Sequence, residues 1–341
     1  MDGSHRSEVR YPAVAVIGCG HWGKNLVRNF HDLDVLHTMC DTLTSLQRSF
    51  RDSYPTVRFT ERYEDVLASS AITAVAIATP AETHFNLAKK ALEAGKDVFV
   101  EKPLALDYDQ GAELVELARK YQAILMVGHL LEYHPAVEQL EKLIHSDELG
   151  NLYYLYSNRL SLGKIRKEEN ILWSFAPHDI SILLRLAGTM PLEVSATGEA
   201  YLQSEIADVT LTHLRFPGRV RAHIFVSWLH PYKEQRLVVI GDRKMAVFND
   251  AVQEGKLMVY DKGIELVEGE LLPRRNAEKV IDIPKVEPLR LECEHLLKCL
   301  RERSQPRTNG ENGLRVLKIL ELAQRSVSAH GRPLSLETAV R

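Results

Sequence analysis

The sequence contains few cysteines, and none lies in a pattern that predicts a metal site or a disulfide framework. The four are Cys19, Cys40, Cys293 and Cys299, and neither a CxxC pair nor an HExxH motif occurs. A chain of 341 residues buries a core large enough to fold without disulfide bonds. We therefore predict that the protein binds no metal and works in a reducing compartment, the cytoplasm.

An excess of basic residues and a long apolar run are also missing. The formal net charge is −3, whereas a domain that binds nucleic acid is usually basic. No apolar run approaches the roughly 18 residues that a membrane-spanning helix needs. The first ten residues are polar and lack the apolar core of a signal peptide. These patterns predict neither a nucleic-acid partner nor a membrane segment.

Apolar strand patterns alternate with helical patterns over the first part of the chain. The strand patterns lie at 13–17, 35–40, 71–79, 97–100 and 124–128. Helical patterns lie at about 24–30, 82–94 and 107–121. Such alternation is typical of βαβ units, so we predict a doubly wound α/β domain of the Rossmann type over residues 1–130.

The second half of the chain has a different pattern. Strand-like runs are joined by short turns, and Pro217-Gly218 and Gly241-Asp242 are placed where hairpins turn. One helical pattern, at about 176–187, interrupts these strands. We predict an α+β domain over residues 131–311 with an open, mainly antiparallel sheet, followed by a helix at about 312–330 that packs back near the first domain.

The segment GCGHWG, residues 18–23, follows the first strand and opens the first helix. In this context Gly18 allows a tight turn, Gly20 lets the backbone approach a pyrophosphate, and Gly23 lets the helix pack close to the strand. Asp41 ends the next strand, where a carboxylate accepts hydrogen bonds from the adenosine ribose and repels a 2′-phosphate. The pattern predicts NAD as cofactor; a structural glycine turn beside a solvated aspartate is the alternative.

Two opposite charges end the strand at 97–100. Glu101 and Lys102 follow the apolar run, and Pro103 excludes helical backbone angles at Lys102. Ligands of parallel sheets bind beyond the carboxyl ends of the strands, where Thr79-Pro80 ends the neighbouring unit. A fixed ammonium there can bind a substrate hydroxyl and stabilise an alkoxide. A surface Glu-Lys pair before a helix is the alternative interpretation.

The EKP motif after an N-terminal GCGHWG resembles the Gfo/Idh/MocA family of sugar and polyol dehydrogenases, and the resemblance extends over essentially the whole chain. In that family the lysine of this motif lies at the reacting carbon and the glutamate lies near the nicotinamide ribose. The resemblance implies those roles for Lys102 and Glu101. The expected cofactor contacts are Gly18, Gly20, His21, Trp22, Gly23, Asp41, Thr79, Pro80, His84, Glu101, Lys102 and Trp173.

A second segment, residues 169–184, matches the catalytic helix of the family. The family places a histidine here, with an aspartate or asparagine four residues earlier. His178 matches the histidine, whereas the earlier position is Ser174. We therefore assign the acid/base work to His178 and at most a hydrogen bond to Ser174. Asp179 need not face His178, since neighbouring residues diverge on a helix.

The run from Tyr156 to Phe175 is rich in cations. Arginine and lysine side chains bind phosphate, and their number beside the proposed catalytic helix suits a diphosphate. A solvated basic loop balanced by Glu168 and Glu169 is the alternative. The expected substrate contacts are Lys102, Asn158, Arg159, Lys164, Arg166, Ser174 and His178.

This run resembles the branch of the family that oxidises C3 of UDP-N-acetylglucosamine or its uronic acid for the synthesis of 2,3-diamino sugars. The resemblance implies a UDP-sugar substrate. An inositol or free-sugar dehydrogenase of the same fold remains an alternative. So does a non-catalytic NAD-binding protein, because Ser174, Leu131 and Glu132 depart from the family pattern. A sheet covered on one face leaves another to bury, so we also predict a homo-oligomer, either a dimer or a tetramer.

Overall fold

The structure is a computed structural model, and it describes residues 12–163, 165–167 and 169–336. These residues form two units, each built around one β-sheet. The first unit contains the chain up to Gly128 together with Leu289–Leu314. The second contains His129–Pro288 and the chain from Arg315.

The first unit is a parallel sheet with helices between its strands. In the described part of the chain its order is β3-β2-β1-β4-β5-β6, the strand order of the Rossmann fold. The strands are β1 Val14–Ile17, β2 Leu36–Cys40, β3 Arg58–Thr60, β4 Ala74–Ile77, β5 Asp97–Glu101 and β6 Leu125–Gly128. The helices are α1 Gly23–Asp32, α2 Thr44–Arg51, α3 Tyr63–Ala68, α4 His84–Glu93 and α5 Tyr108–Lys120.

The central strands are apolar because both of their faces are covered. Every residue of β1, β4 and β5 is buried, which explains their continuous apolar runs. The predicted α/β fold class is confirmed, whereas the short elements α2, β3 and α3 were not predicted. The two helices span eight and six residues, and the strand spans three, too few for a clear periodicity.

The second unit is built on a mixed, mainly antiparallel sheet. Over the described ranges its nine strands follow the order β14-β13-β12-β11-β7-β10-β9-β8-β15, and β7 and β10 are its parallel neighbours. The strands are β7 Leu152–Leu160, β8 Glu193–Glu199, β9 Val209–Arg215, β10 Arg221–Ser227, β11 Glu234–Gly241, β12 Met245–Asn249, β13 Leu257–Val267, β14 Glu270–Ile281 and β15 Leu334–Ser335. The turns predicted at 217–218 and 241–242 join β9 to β10 and β11 to β12.

Two helices of this unit precede and follow β7: α6 Pro135–His145 and α7 Ile171–Ala187. The helical pattern in the sequence predicted a start for α7 near residue 176. The helix begins five residues earlier because the Asn170 side chain accepts the Trp173 N–H at 3.2 Å and caps it. Gly188 ends it with φ +67°.

The last two helices are α8 Pro288–Glu302 and α9 Gly310–Ser328. Residues 289–311, expected in the second domain, belong to the first unit, because Arg303 donates to Asp97 at 2.6 and 3.0 Å. The helix expected at about 312–330 near the first domain belongs to it only up to Leu314. From Arg315 onward the helix belongs to the second unit, where the Ala196 N–H donates to Ser326 Oγ at 2.8 Å. No helix among the described residues combines the length and apolar character needed to cross a bilayer.

Candidate functional site

The glycine loop after β1 has the geometry of a phosphate-binding turn. Gly18 adopts φ +83°, and a Cβ there would lie 2.7 Å from the Thr79 side chain. A Cβ at Gly23 would lie 1.8 Å from the Gly18 carbonyl oxygen. A Cβ at Gly20, in contrast, would meet nothing within 4 Å. Gly18 and Gly23 are therefore required by backbone packing, and the open side of Gly20 leaves room for a pyrophosphate.

Asp41 lies at the end of β2, next to this loop. Its Oδ2 accepts the Cys19 N–H at 2.7 Å, and its Oδ1 accepts the Leu43 N–H at 2.9 Å. An ionised carboxylate has about four lone-pair sites, so capacity remains for the ribose hydroxyls of an adenosine. The loop and this carboxylate together fit NAD. Burial raises the pKa of the Cys19 thiol to about 12, so Cys19 is a packing residue of the loop.

His84 connects the ends of two central strands. Its Nδ1 lies 2.7 Å from the Pro103 carbonyl oxygen, and its Nε2 lies 2.9 Å from that of Thr79. The ring is buried, whereas Pro80 is exposed. His84 therefore fixes the backbone at the ends of β4 and β5, which the sequence did not predict for it.

The end of β5 carries the predicted Glu-Lys pair. Glu101 is buried, and its Oε1 accepts a hydrogen bond from Trp22 Nε1. Burial raises the pKa of Glu101 to about 7, and the Trp22 hydrogen bond and the Lys102 ammonium oppose that rise. Lys102 is half-buried, and the Lys102–Pro103 peptide bond is cis. The structure thus brings Trp22 of the glycine loop together with the EKP motif.

Gly128 is a residue of this region that the sequence did not indicate. It ends β6 and pairs with Glu101 across the sheet. A Cβ at this position would lie 2.8 Å from Glu101 Oε2. The glycine therefore leaves the space in which the carboxylate lies. Strands β5 and β6 end at Glu101 and Gly128, so aligning the ends of these two parallel strands in the sequence would have paired the glycine with the glutamate.

In the second unit, the predicted catalytic segment forms the first half of α7. His178 is half-buried, and its ring lies edge-to-face against His129 with centroids 6.4 Å apart. Ser174 is buried one turn earlier. Trp173 is half-buried near the helix start. The contacts predicted for these residues with NAD and with a substrate stay predictions.

Asp179 fastens α7 to β7. Its carboxylate accepts hydrogen bonds from Ser157 Oγ at 2.6 Å and from Arg159 Nε and Nη2 at 2.7 and 3.0 Å. The exposed fractions of the Arg159 and Asp179 side chains are 12% and 2%. Arg159, predicted as a substrate contact, is therefore committed to a buried ion pair.

The other predicted substrate contacts are dispersed. Asn158 donates to Glu234 Oε1 at 2.9 Å, and because side chains alternate along a strand it points to the face opposite Arg159. Arg166 forms a half-exposed ion pair with Glu169 at 3.1 Å. Lys164 lies outside the described residues. The structure does not bring Asn158 and Arg159 to the same side of the sheet.

A second buried ion pair holds α7 from another direction. Glu132, which departs from the family pattern, accepts hydrogen bonds from Ser181 Oγ at 2.5 Å and from Arg185 Nη1 at 3.2 Å. Arg185 also donates to Glu141 at 2.6 Å. A buried carboxylate needs such partners, so Glu132 has a structural role that its sequence neighbours do not reveal. No group of three or more His, Cys, Asp or Glu residues in the described ranges could hold a metal ion.

Comparison with known proteins identifies the family. The family model described as an oxidoreductase family with an NAD-binding Rossmann fold matches residues 13–129, and the model of the GFO/IDH/MocA C-terminal domain matches residues 137–247. The chain belongs to the Gfo/Idh/MocA family of oxidoreductases. Its first unit is an NAD-binding Rossmann domain, in agreement with the glycine loop and Asp41.

Members of this family with different substrates are similar to the chain. UDP-N-acetylglucosamine 3-dehydrogenase from Acidithiobacillus ferrooxidans is 26% identical over 89% of this chain and 93% of that protein. A solved structure of that enzyme has a TM-score of 0.81 and 25% identity, covering 93% of this chain and 98% of the other. scyllo-Inositol 2-dehydrogenase (NAD(+)) from Bacillus subtilis is 28% identical over 67% of this chain and 70% of that protein.

Proposed function

We propose that the protein is an NAD-dependent dehydrogenase that oxidises the C3 hydroxyl of UDP-GlcNAc or UDP-GlcNAcA to a ketone. The observation that carries this proposal is the similarity to a UDP-N-acetylglucosamine 3-dehydrogenase over 89% of the chain. The similarity to scyllo-inositol 2-dehydrogenase extends over 67%. The 3-keto product is the substrate that an aminotransferase needs to make a 2,3-diamino sugar for a surface glycan.

The chemistry of this proposal is a hydride transfer with loss of a proton. When bound, NAD supplies the nicotinamide C4 that accepts the hydride from C3. His178 takes the proton of the 3-hydroxyl as general base, and the C–O single bond becomes a carbonyl. Lys102 stabilises the negative charge that develops on the oxygen. The overall reaction is the same if Lys102 takes the proton and His178 stabilises the charge on the oxygen.

Cofactor binding is divided among residues of the first unit. The backbone of the glycine loop holds the pyrophosphate, and Asp41 accepts hydrogen bonds from the adenosine ribose. Glu101 accepts a hydrogen bond from the nicotinamide ribose. The two carboxylates have different hydrogen-bond partners. Asp41 accepts from two backbone N–H groups, and the buried Glu101 accepts from the Trp22 side chain.

Arg166 is the described cation that we propose for the diphosphate. Arg159 is neutralised by Asp179, and its guanidinium is therefore committed elsewhere. The side chain of Arg166 is half-exposed and pairs with Glu169. The Glu169 side chain is only 11% exposed, whereas that of Arg166 is 46% exposed. The guanidinium has five N–H donors, so its exposed side can donate to a diphosphate while the pair with Glu169 is kept.

A substrate panel tests the proposal. Purified protein is incubated with NAD and, separately, with UDP-GlcNAc, UDP-GlcNAcA, myo-inositol, scyllo-inositol and free hexoses, and NADH formation is followed by absorbance. We expect turnover with a UDP-sugar. Turnover with an inositol while both UDP-sugars stay silent would establish the alternative of a polyol dehydrogenase. NAD binding without turnover of any candidate would favour a non-catalytic role.

We also propose that two copies of the chain associate through the sheet of the second unit. On the face opposite α7, Tyr156 stacks on His223 with ring centroids 5.1 Å apart, and His213 follows on the next strand. The Tyr154 hydroxyl lies 2.7 Å from His223 Nδ1. A second copy would cover these partly exposed rings. Light scattering of the purified protein tests this, and a monomer at micromolar concentration would contradict it.

We also propose that the enzyme works in the cytoplasm, where NAD and UDP-sugars occur together.

A further inference from the structure

The carboxyl group of Glu101 lies in a slot between Trp22 and Gly128. On one side, Trp22 Nε1 donates a hydrogen bond to Oε1. On the other side, a Cβ at Gly128 would lie 2.8 Å from Oε2 and 3.1 Å from the Phe99 ring. Gly128 thus provides the space for the carboxyl group, and the indole fixes its orientation. All four residues belong to the first unit.

The slot favours protonation of Glu101, and Trp22 opposes it. A buried carboxylate loses hydration, and this loss raises its pKa. The indole N–H of Trp22 can donate a hydrogen bond but cannot accept one. Such a donor stabilises the ionised form of the carboxyl group. Among the charged groups of the described residues, the Lys102 ammonium also acts on Glu101 in this direction. The ionised form is the one that can accept hydrogen bonds through both oxygens.

We propose that Trp22 is a positioning residue, whose indole N–H keeps Glu101 ionised and oriented to accept the nicotinamide ribose hydroxyl of NAD. The inference rests on the proposed role of Glu101 in cofactor binding. It adds that Trp22 acts through Glu101, in addition to any contact of its ring with NAD. Trp22 is suited to both, since it is 37% exposed while its nitrogen points to a buried oxygen.

The test is NAD binding by titration calorimetry as a function of pH, without any sugar. In the wild-type protein we expect the affinity to fall as the pH decreases through about 7. Trp22→Phe keeps an aromatic ring but removes the donor. We expect this variant to bind NAD more weakly at neutral pH, with the midpoint of the fall moved upward by about one pH unit. Its affinity should recover towards wild type at higher pH.

A matched control is Tyr121→Phe, which removes one polar atom from a ring of similar exposure, 40%, in the same unit. It should leave both the affinity and the midpoint unchanged. If Trp22 only packs, Trp22→Phe will lower the affinity by the same factor at every pH, and this result would overturn the proposal. Thermal unfolding of each variant verifies that the comparison concerns folded protein.

A double variant isolates the pair. Glu101→Gln cannot ionise, so its NAD affinity should be independent of pH over this range. Adding Trp22→Phe to Glu101→Gln should then change the affinity much less than Trp22→Phe changes the wild type, because the two residues act as one unit. Full additivity of the two losses would contradict the proposal.

A measurement on the unaltered Trp22 covers the case in which its variant does not fold. Tryptophan emission should change with a midpoint near pH 7 in the wild type and lose that transition in Glu101→Gln. An identical transition in both proteins would contradict the proposal. Because no sugar is present, failure here leaves the substrate assignment intact, and failure of the substrate panel leaves this result interpretable.

Discussion

Asp179 and Arg159 form a buried, two-bonded ion pair next to His178. The Arg159 guanidinium donates to both oxygens of Asp179, at 2.7 and 3.0 Å, and Ser157 adds a third hydrogen bond. Because Asp179 directly follows His178, this pair fixes to β7 the helical turn that carries the proposed base. The glutamate at position 132 holds the same helix through Ser181 and Arg185. The helix is thus fastened by residues that follow His178, the first of them its direct neighbour.

Asp179→Asn should destabilise the protein strongly, because it leaves the buried Arg159 charge without a full partner. We expect a loss of about 3–5 kcal/mol in the free energy of unfolding, measured by denaturant titration. Glu193→Gln is the control, since its pair with Arg215 lies in the same unit but both side chains are more than a third exposed. The control should lose less than about 1 kcal/mol. Equal losses in the two variants would show that the buried Asp179–Arg159 pair stabilises the fold no more than an exposed ion pair does.

Lys102→Ala and His178→Ala should each lower kcat by roughly 100- to 10,000-fold, because each removes a group that acts on the substrate hydroxyl. Steady-state NADH formation measures this effect. NAD affinity should change little in His178→Ala. Lys89→Ala, a surface lysine of the first unit paired with Glu113, is the control and should keep wild-type activity. Near wild-type kcat in either variant would refute the assigned roles.

Asp41→Ser should shift the cofactor preference towards NADP. The substitution removes the negative charge that opposes a 2′-phosphate and weakens the hold on the ribose hydroxyls. We expect the ratio of NAD to NADP affinities to fall by roughly tenfold, about 1.4 kcal/mol, measured by calorimetry with each cofactor. Asp52→Ser, at the end of α2, should leave the ratio unchanged. A similar shift in both variants would point to a general charge effect instead.

Ser174→Asp should change the pH dependence of kcat. A negative charge one turn from His178 stabilises the imidazolium and so raises its pKa. Because a general base must be neutral, the acidic limb of the kcat profile should move upward by about one pH unit. Asparagine has the size of aspartate but no charge, so Ser174→Asn should keep the wild-type pH profile. A profile that moves equally in both variants would show a steric effect, and one that moves in neither would argue against His178 as the base.

The fold class and the cofactor could be predicted because they depend on local patterns. Continuous apolar runs indicated strands buried on both faces, and the glycine loop followed the first of them. Helix α6 was not predicted, although Pro135 at its first turn is a common start signal. The start of α7 was predicted five residues too late, and the Asn170 cap decides where the helix begins.

The details of the site depend on contacts between residues far apart in sequence. Arg159 suggested a phosphate ligand, whereas in the structure it forms a buried ion pair with Asp179. Glu132 departs from the family pattern, and its pairing with Arg185 gives it a structural role that the sequence did not indicate. Asn158 was grouped with Arg159 by proximity, although strand alternation separates them. Such pairings are set by register and packing, which a single sequence does not specify.

The central claim is the oxidation of a UDP-sugar at C3, and UDP-GlcNAc or UDP-GlcNAcA deuterated at that carbon tests it most directly. The protein is incubated with NAD and the labelled sugar, and both products are analysed by mass spectrometry. The account predicts that the deuterium appears in the reduced cofactor and that the sugar becomes a 3-ketone. Reduced cofactor without deuterium, or reduction by an inositol while both UDP-sugars remain unchanged, would contradict it.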